Sequence, residues 1–294
     1  MSKKDRVIGI DFGATFIKLA KLDLKGKMIE KRSFKTKAFT SRDGLIKEIL
    51  KETQSLIGKD KSRVLGVGVG VPGQVDYKKG LIYNLTNVKG WKRVPLKAIL
   101  KKGLGLPVYV DNDANVAALG EAEWGAAVNC RNIICITLGS GVGGGIIIDG
   151  KVYHGRSYSA GEIGHICIER EGPSCNCGGR GCIEAFVGNT YIVREVVKRL
   201  KKGKRSIILK LAGGKYSNIT PKVIDEASRK GDSFAKGIWK EAGSNIGIFL
   251  TSVINILNPE IIVIGGGVSK TGRVLFDAIR KTIDERAIDI FLKG

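Results

Sequence analysis

The sequence of 294 residues has only two histidines and six prolines, aromatic residues make up 6%, and long apolar runs are missing. No stretch approaches the roughly twenty apolar residues of a membrane-spanning helix, so a membrane partner is not expected. The chain opens Met-Ser-Lys-Lys-Asp-Arg and then enters an apolar strand, without the apolar core of a signal peptide. These absences predict a cytoplasmic protein whose cysteines stay reduced.

Acidic residues are also scarce, since 28 Asp and Glu face 50 Lys and Arg and the net charge is +22. A basic balance of this kind can attract nucleic acid, anionic membranes or phosphorylated ligands. The densest basic patch, residues 198–205, closes a predicted helix that begins near Asn189, and no aromatic side chain interleaves with its lysines. We therefore expect a solvated basic surface, and a nucleic-acid partner is not expected.

The sequence supports neither of the two common nucleotide-binding motifs, the dinucleotide-binding motif and the P-loop. Gly139-x-Gly141-x-x-Gly144 and Gly68-x-Gly70-x-x-Gly73 match the dinucleotide expression, but neither opens a helix, and no GxxxxGK[ST] segment is present. Glycine-rich turns can still present backbone N–H groups to phosphate oxygens, although a plain tight turn is about as good an explanation for any single one. With Asp11 and Thr15 in one turn and Ser140 in another, phosphate binding is the stronger interpretation.

Strands that end in glycine turns recur along the chain. Residues 7–10 and 16–22 flank one such turn, residues 133–137 and 146–148 flank another, and Asp149-Gly150 predicts a hairpin. A strand at 261–264 leads into Gly265-Gly266-Gly267. The pattern predicts an α/β protein built from two similar units that face each other across a cleft.

A compact set of metal-ligand residues spans Gly161 to Glu184. It contains one imidazole and three thiols, which complete the tetrahedral shell that Zn²⁺ prefers in a closed structural site: His165, Cys175, Cys177 and Cys182. A Cys175–Cys177 disulfide and three metal-free buried thiols are the alternatives, and the spacing together with the reducing compartment favours zinc. Cys130, Cys135 and Cys167 lie outside the cluster and are expected to be core thiols, whereas the loop residue His154 is given no role.

Asp113 follows a strand that ends in Asp111-Asn112 and precedes a helix that is predicted to run from Ala114 to about Trp124. Its position fits a helix N-cap and a catalytic base equally well. The phosphate-type turns favour catalysis, because kinases need a carboxylate that accepts the proton of the substrate hydroxyl.

Taken in order, these motifs resemble the ROK family (repressors, open reading frames, kinases), the sugar kinases of the actin-like ATPase fold. The segments that carry the resemblance are residues 11–15, Val71-Pro72-Gly73, residues 111–115, residues 138–145 and the cysteine and histidine run of residues 161–184. The resemblance implies an actin-like, ribonuclease H-like α/β fold with a zinc-stabilised loop. It also implies a small domain over residues 1–117 and a larger one over residues 118–294, and the family's closing C-terminal helix is expected to be missing.

The family's functional residues carry over position by position. Asp113 is implied as the catalytic base, and sugar hydroxyls would be held at Gly73, Asn84, Thr86, Asn112, Asp113, Glu162, His165 and Glu184. ATP with Mg²⁺ would be held at Asp11, Gly13, Thr15, Thr137, Gly139, Ser140, Gly141, Gly265, Gly266 and Gly267. His165, Cys175, Cys177 and Cys182 would hold a structural Zn²⁺.

The resemblance also indicates which substrates and partners to expect. The stretch from Asn84 to Leu96 resembles the glucokinase branch, so transfer from ATP to glucose is expected, with N-acetylmannosamine or N-acetylglucosamine as the alternative sugars. A sugar-responsive repressor is disfavoured, because the first phosphate turn begins at Asp11 and leaves no room for a helix-turn-helix domain before it. Dimers are frequent in the family, and a homodimer is therefore an alternative to a monomer.

Overall fold

The computed structural model describes residues 4–39, 41–85 and 90–288. The chain divides into two compact units, Met1–Arg131 with Gly145–Gly161 and Asn132–Gly144 with Glu162–Gly294. The domain boundary expected after residue 117 stays a prediction. Among the described residues, no helix combines the length and the apolar character that crossing a bilayer requires.

The first unit alternates strands and helices. Its elements up to Arg131 are β1 (Arg6–Phe12), β2 (Phe16–Asp23), β3 (Met28–Lys35), α1 (Arg42–Ile57), β4 (Val64–Val71), β5 (Val75–Asp76), β6 (Leu81–Asn84), β7 (Lys92–Val94), α2 (Leu96–Leu104), β8 (Val108–Asn112) and α3 (Asp113–Trp124). A five-stranded sheet has the order β3-β2-β1-β4-β8, and β5, β6 and β7 form a small antiparallel sheet.

The core of the first unit is formed by apolar residues that alternate along its strands and recur every three to four positions along its helices. Ile8, Ile10 and Phe12 alternate along β1 and are buried, because successive strand side chains point to opposite faces. Along α1, buried residues recur at helical spacing, and they join the same core as the strand residues. Phe12 also packs edge-on against the buried Trp91, with 4.8 Å between ring centroids.

Three neighbouring strands of the five-stranded sheet run parallel and end at one edge. Asp11 of β1 is in register with Gly70 of β4, and Gly70 is in register with Asp111 of β8. Because adjacent strands lie about 4.8 Å apart, Asp11 and Asp111 are separated by roughly 10 Å along this edge. The sheet thus brings the first glycine turn and the Asp111–Asp113 segment together within one unit.

The second unit is built on β9 (Ile133–Leu138), which pairs in parallel with a strand more than 120 residues later in the sequence. In chain order, the remaining elements are β10 (Val142–Ile148), β11 (Lys151–Val152), α4 (Glu184–Val187), α5 (Asn189–Lys201), α6 (Ile208–Leu211), α7 (Pro221–Arg229), α8 (Ser233–Leu257), β12 (Ile261–Gly266) and α9 (Arg273–Arg286), and of these β11 belongs to the first unit. Helix α5 confirms the helix that was predicted from Asn189.

The longest helix, α8, packs closely on α9. Gly243 and Gly247 lie at the contact, where an added Cβ would come within 2.5 Å of Leu275 O and of Thr282 Cβ, respectively. Glycine at both positions allows the two backbones to approach. Trp239, four residues before Gly243 on α8, is fully buried.

Strand β10 begins in the second unit and ends in the first, where it forms a hairpin with β11. Asp149 and Gly150 occupy the turn with φ of 51° and 76°, so both central residues are left-handed, as a two-residue type I′ hairpin requires. The hairpin that Asp149-Gly150 predicts is therefore confirmed.

A substitution at Gly145 tests how closely β10 approaches α3. A Cβ at Gly145 would lie 2.6 Å from both Ala114 O and Ala118 Cβ, so Gly145→Ala should lower the free energy of unfolding by about 1–3 kcal/mol. The matched control is Gly68→Ala on β4, where an added Cβ meets nothing within 4 Å. Thermal unfolding midpoints of the two variants give the comparison, and equal midpoints would contradict the close approach.

Candidate active site and metal centre

The first predicted phosphate turn joins β1 to β2. Gly13 N donates to Phe16 O at 3.0 Å, and an added Cβ on Gly13 would lie 2.6 Å from that same oxygen, so a glycine is required. Thr15 is exposed, and its carbonyl accepts from Thr36 N at 3.0 Å. Asp11 Oδ2 lies 2.9 Å from Lys18 Nζ, and both side chains are more than half exposed, so this ion pair is weak and easily replaced.

The structure brings Gly73, Asn84 and Asn112 together in the first unit. Gly73 has a φ of 95°, and an added Cβ there would lie 2.7 Å from Asn84 O. The amide of Asn112 donates through Nδ2 to Gly73 O at 3.1 Å. Thr86, predicted beside them, lies outside the described residues.

The helix cap differs from the sequence prediction by one residue. Asn112 is the N-cap of α3, because its Oδ1 accepts from Ala114 N at 2.9 Å and from Asn115 N at 3.4 Å. Asp113 is the first helical residue, and its Oδ1 also accepts from Ala114 N at 2.9 Å. The carboxylate at residue 113 therefore lies at the positive end of the helix dipole.

The four predicted metal ligands converge in the second unit. One ligand atom from each of His165, Cys175, Cys177 and Cys182 lies within 4.8 Å of the others. Cys177 Sγ is 3.7 Å from Cys182 Sγ, and Cys175 Sγ is 3.6 Å from His165 Nδ1. Tetrahedral zinc would separate two ligand sulfurs by roughly 3.8 Å, and a sulfur from a nitrogen by roughly 3.6 Å, so the donor set fits that ion.

The thiols of this cluster have unequal proton affinities. Burial raises the pKa of Cys182 to about 12. A hydrogen bond from Gly179 N, at 3.4 Å, is the main cause that lowers the pKa of Cys177. A buried thiolate at Cys182 is therefore costly by itself, and a cation bound to the sulfur would offset that cost.

The loop that carries the cysteines is fixed to α5. Tyr191 of α5 is buried, and its hydroxyl accepts from Asn176 N at 2.9 Å, between Cys175 and Cys177. The backbones of Cys167 and Cys182 form an isolated antiparallel bridge. Cys135 is buried as predicted, but Cys130 is only half-buried and Cys167 is exposed, so the prediction of a core thiol at Cys167 is wrong. The apolar neighbours Ile166 and Ile168 misled the sequence argument, because here the chain is a loop.

Glu162 and His165 lie on one short turn. Residues Ile163–His165 form a single 3-10 turn, and His165 N donates to Glu162 O at 3.1 Å. With Nδ1 of His165 directed at Cys175, its Nε2 lies 3.9 Å from a carboxylate oxygen of Glu162. If Nδ1 ligates a metal, the ring proton is on Nε2, which then is a hydrogen-bond donor next to an acceptor.

Glu184 connects the metal loop to the second glycine turn. It is the first residue of α4, and its Oε2 accepts from Val142 N at 3.0 Å, while Oε1 lies 3.8 Å from Cys175 Sγ. An added Cβ on Gly141 would collide with the same carboxylate. The carboxylate of Glu184 thus has a structural partner in the turn, which the sequence did not reveal.

The remaining predicted phosphate contacts follow β9 and β12. Gly139 N donates to Gly141 O at 2.9 Å, which closes the turn around the exposed Ser140. Thr137 is in register with Gly265, so the ends of the two strands are adjacent. Gly266 has a φ of 94°, and a Cβ there would collide with Leu138 O, so the approach requires glycine. Gly267 follows directly after β12.

Sequence reasoning missed two residues of the first unit. The side chain of His154, to which the sequence analysis gave no role, is only 13% exposed, and its Nε2 lies 2.7 Å from Asp111 Oδ2. Asp111 was treated only as a strand end. The sequence does contain a loop histidine and an aspartate at the end of a strand, which could pair. The two residues are 43 positions apart, so the sequence alone does not indicate that they meet.

Replacement of Cys182 tests the metal centre. Cys182→Ser removes one of four donors from a closed site, so the purified protein should lose its stoichiometric zinc. Cys130→Ser, which changes a cysteine outside the cluster, should retain zinc at the wild-type level. Elemental analysis after exhaustive dialysis measures both, and a metal-free wild-type protein would contradict a zinc site.

Comparison with known proteins places the chain in a family. The ROK family sequence profile matches residues 7–293. The chain is 39% identical over 288 residues to a glucokinase of Halalkalibacterium halodurans, with 96% of this chain and 86% of that protein covered. It is 30% identical to a xylose repressor of Caldicellulosiruptor bescii, with 96% and 70% covered.

Solved structures show the same relation. The ROK family glucokinase from Streptomyces griseus, in complex with glucose and AMPPNP, superposes with a TM-score of 0.82 and 34% identity, with 98% of this chain and 90% of that chain covered. The expected actin-like α/β fold is therefore confirmed. By profile, identity and coverage, this chain belongs to the ROK family.

Proposed function

We propose that this protein is an ATP-dependent hexose kinase that transfers the γ-phosphoryl group of ATP to the C6 hydroxyl of glucose. The observation that carries the proposal is the shared edge of β1, β4 and β8, because the glycine turn follows β1 and Asp113 follows β8 directly at that edge of one sheet. Similarity to glucokinases of 34–39% identity over nearly the whole chain supports both the reaction and the sugar.

Asp113 acts as the base in this proposal. In-line phosphoryl transfer depends on holding the phosphates and on accepting the proton of the attacking hydroxyl. The N-terminal position of Asp113 on α3 places the carboxylate where the helix dipole is positive, while the Asn112 cap fixes the first turn of that helix. An ionised carboxylate with a fixed backbone is the form that a general base requires.

The phosphates of ATP are held by the backbone amides and hydroxyls of the glycine turns. We assign this role to Asp11, Gly13, Thr15, Thr137, Gly139, Ser140 and Gly141, with Gly265, Gly266 and Gly267 at the nucleoside. Mg²⁺, when bound, would neutralise charge on the transferring phosphoryl group, and Asp11 is its proposed anchor through water. The exposed Lys18 would then exchange its partner at little cost.

Sugar hydroxyls are bound by carboxylates, amides and one imidazole. We assign these contacts to Gly73, Asn84, Thr86, Asn112, Asp113, Glu162, His165 and Glu184. With His165 Nδ1 on zinc, its Nε2–H is free to donate to a sugar oxygen, and Glu162 accepts from a neighbouring hydroxyl. The zinc has a structural role, since four protein donors leave no position for a reactive water.

Two alternatives remain for comparison. A kinase for N-acetylmannosamine or N-acetylglucosamine would use the same residues and differ at the C2 substituent of the sugar. A sugar-responsive regulator is suggested by the xylose repressor, which is 30% identical, but it would leave the glycine turns without a phosphate ligand. We place the kinase in the cytoplasm, where ATP and free hexoses meet, and a homodimer is compatible with the proposal.

A substrate screen tests the proposed activity. ADP release with Mg·ATP should be fastest with glucose when glucose, mannose, fructose, N-acetylglucosamine and N-acetylmannosamine are compared by kcat/KM. A higher kcat/KM for an acetylated sugar would transfer the assignment to the amino-sugar alternative. ADP release with none of the five would overturn the kinase proposal.

The role of Asp113 is tested by Asp113→Asn. Loss of the proton acceptor should lower kcat by about 10²–10⁴-fold, while the dissociation constant for glucose changes little. Glu123→Gln removes an exposed carboxylate from the same helix and should leave kcat unchanged. Steady-state kinetics and calorimetric titration with glucose separate the effects, and near-normal turnover by Asp113→Asn would reduce the residue to a helix-terminal carboxylate.

A further inference from the structure

The imidazole of His154 is held in a fixed orientation inside the first unit. Its ring is stacked on Tyr77, with 3.6 Å between ring centroids and an interplanar angle of 8°. Tyr158 packs edge-on against Tyr77, at 5.4 Å and 88°. Tyr158 itself has a φ of 60°, a left-handed conformation that is rare for a bulky residue, so the surrounding contacts must maintain it.

The stacked ring directs Nε2 at a carboxylate. His154 Nε2 lies 2.7 Å from Asp111 Oδ2, and the two side chains are 13% and 16% exposed. Little water therefore competes for this hydrogen bond, which makes it stronger than a surface pair. An ionised carboxylate only accepts hydrogen bonds, and Asp111 accepts two others through Oδ1, so we assign the ring proton of His154 to Nε2.

Asp111 is also hydrogen-bonded to residues on both sides of Asp113. Its Oδ1 accepts from Asn112 N at 2.7 Å and from Asn115 Nδ2 at 3.1 Å. Asn112 precedes Asp113 and caps the helix, and Asn115 follows it by two residues within the first turn. One carboxylate thus ties the end of β8 to the first turn of α3, on both sides of the proposed base.

We propose that His154 is a positioning residue for Asp113: its Nε2–H orients the Asp111 carboxylate, which in turn holds the Asn112 backbone and the Asn115 side chain on either side of the base. The inference rests on the proposed function for the role of Asp113. His154 acts through the Asn112 backbone, whereas the Asn112 side chain keeps its own hydrogen bond to Gly73 O, so the contribution of His154 is expected in turnover and not in sugar affinity. A displacement of about 1 Å at a catalytic group can cost 10²-fold in rate, which sets the expected scale.

The experiment separates the hydrogen bond from the space that the ring fills. His154→Gln places an amide N–H about as far from Cα as Nε2, whereas His154→Met has similar length and no donor. Tyr153→Phe, at the exposed neighbouring position, is the control that should behave as wild type. For each protein, kcat, both KM values and the thermal unfolding midpoint are measured with the best sugar of the screen.

His154→Met should lower kcat by about tenfold to hundredfold, with KM for sugar and for ATP within twofold of wild type. His154→Gln should have a kcat close to that of wild type, because the amide N–H replaces the lost donor. Both variants lose the stack on Tyr77, so they should unfold at similar temperatures. Recovery of kcat by Gln at equal stability is an effect that a purely structural histidine would not produce.

Three results overturn the inference alone, and the first two are a wild-type kcat for His154→Met and equal kcat values for the Gln and Met variants. A rise in KM for sugar without a change in kcat also overturns it, because that result would make His154 a substrate-affinity residue. If the wild-type protein phosphorylates no sugar, the proposed function fails first and the inference fails with it.

Discussion

The register of three parallel strands determines which of the proposed functional residues lie side by side in the first unit. Asp11, Gly70 and Asp111 lie side by side at the carboxyl ends of β1, β4 and β8. At Gly70 an added Cβ would lie 3.3 Å from Asp113 Cα and 3.4 Å from Val116 Cβ, so the absence of a side chain lets the first turn of α3 settle over the sheet. The apolar alternation of β1 and β4 fixes this register, because a shift by one residue would exchange the buried and exposed faces.

In the second unit, the metal loop and a glycine turn are one connected structure. Tyr191 holds the backbone between two of the cysteines, and Glu184 spans from the neighbourhood of Cys175 to Val142 N. A cation bound by the cysteines would therefore stiffen both the turn that carries Glu162 and the turn around Ser140. Residues that are proposed for the sugar and for the phosphates thus share one support within this unit.

The sequence was sufficient for features that depend on local chemistry. The spacing of His165, Cys175, Cys177 and Cys182 predicted a cluster that the fold brings together, and Asp149-Gly150 predicted a hairpin from backbone preference alone. The α/β class and the family followed from motif order. These signals are strong because few other structures satisfy the same short-range constraints.

Features that depend on distant partners escaped the sequence. The cap moved from Asp113 to Asn112 because the Asn112 amide serves both Gly73 and the helix terminus. His154 gained a partner 43 residues away, and Cys167 became exposed because its apolar flanks belong to a loop. Burial and pairing of this kind are properties of the tertiary structure, and residue type gives only a weak indication of them.

The tight turn at Asp149-Gly150 limits how this protein can vary in length. Ile148 pairs with Lys151 across the turn, Tyr153 N still donates to Ile146 O at 2.8 Å, and His154 is the next residue. An insertion or deletion of a single residue between β10 and β11 would rotate every later side chain to the opposite face and point the imidazole away from Asp111. We therefore expect evolution, and protein engineering, to keep this loop at two residues and to accept there only residues that tolerate a left-handed backbone, such as Gly, Asn and Asp.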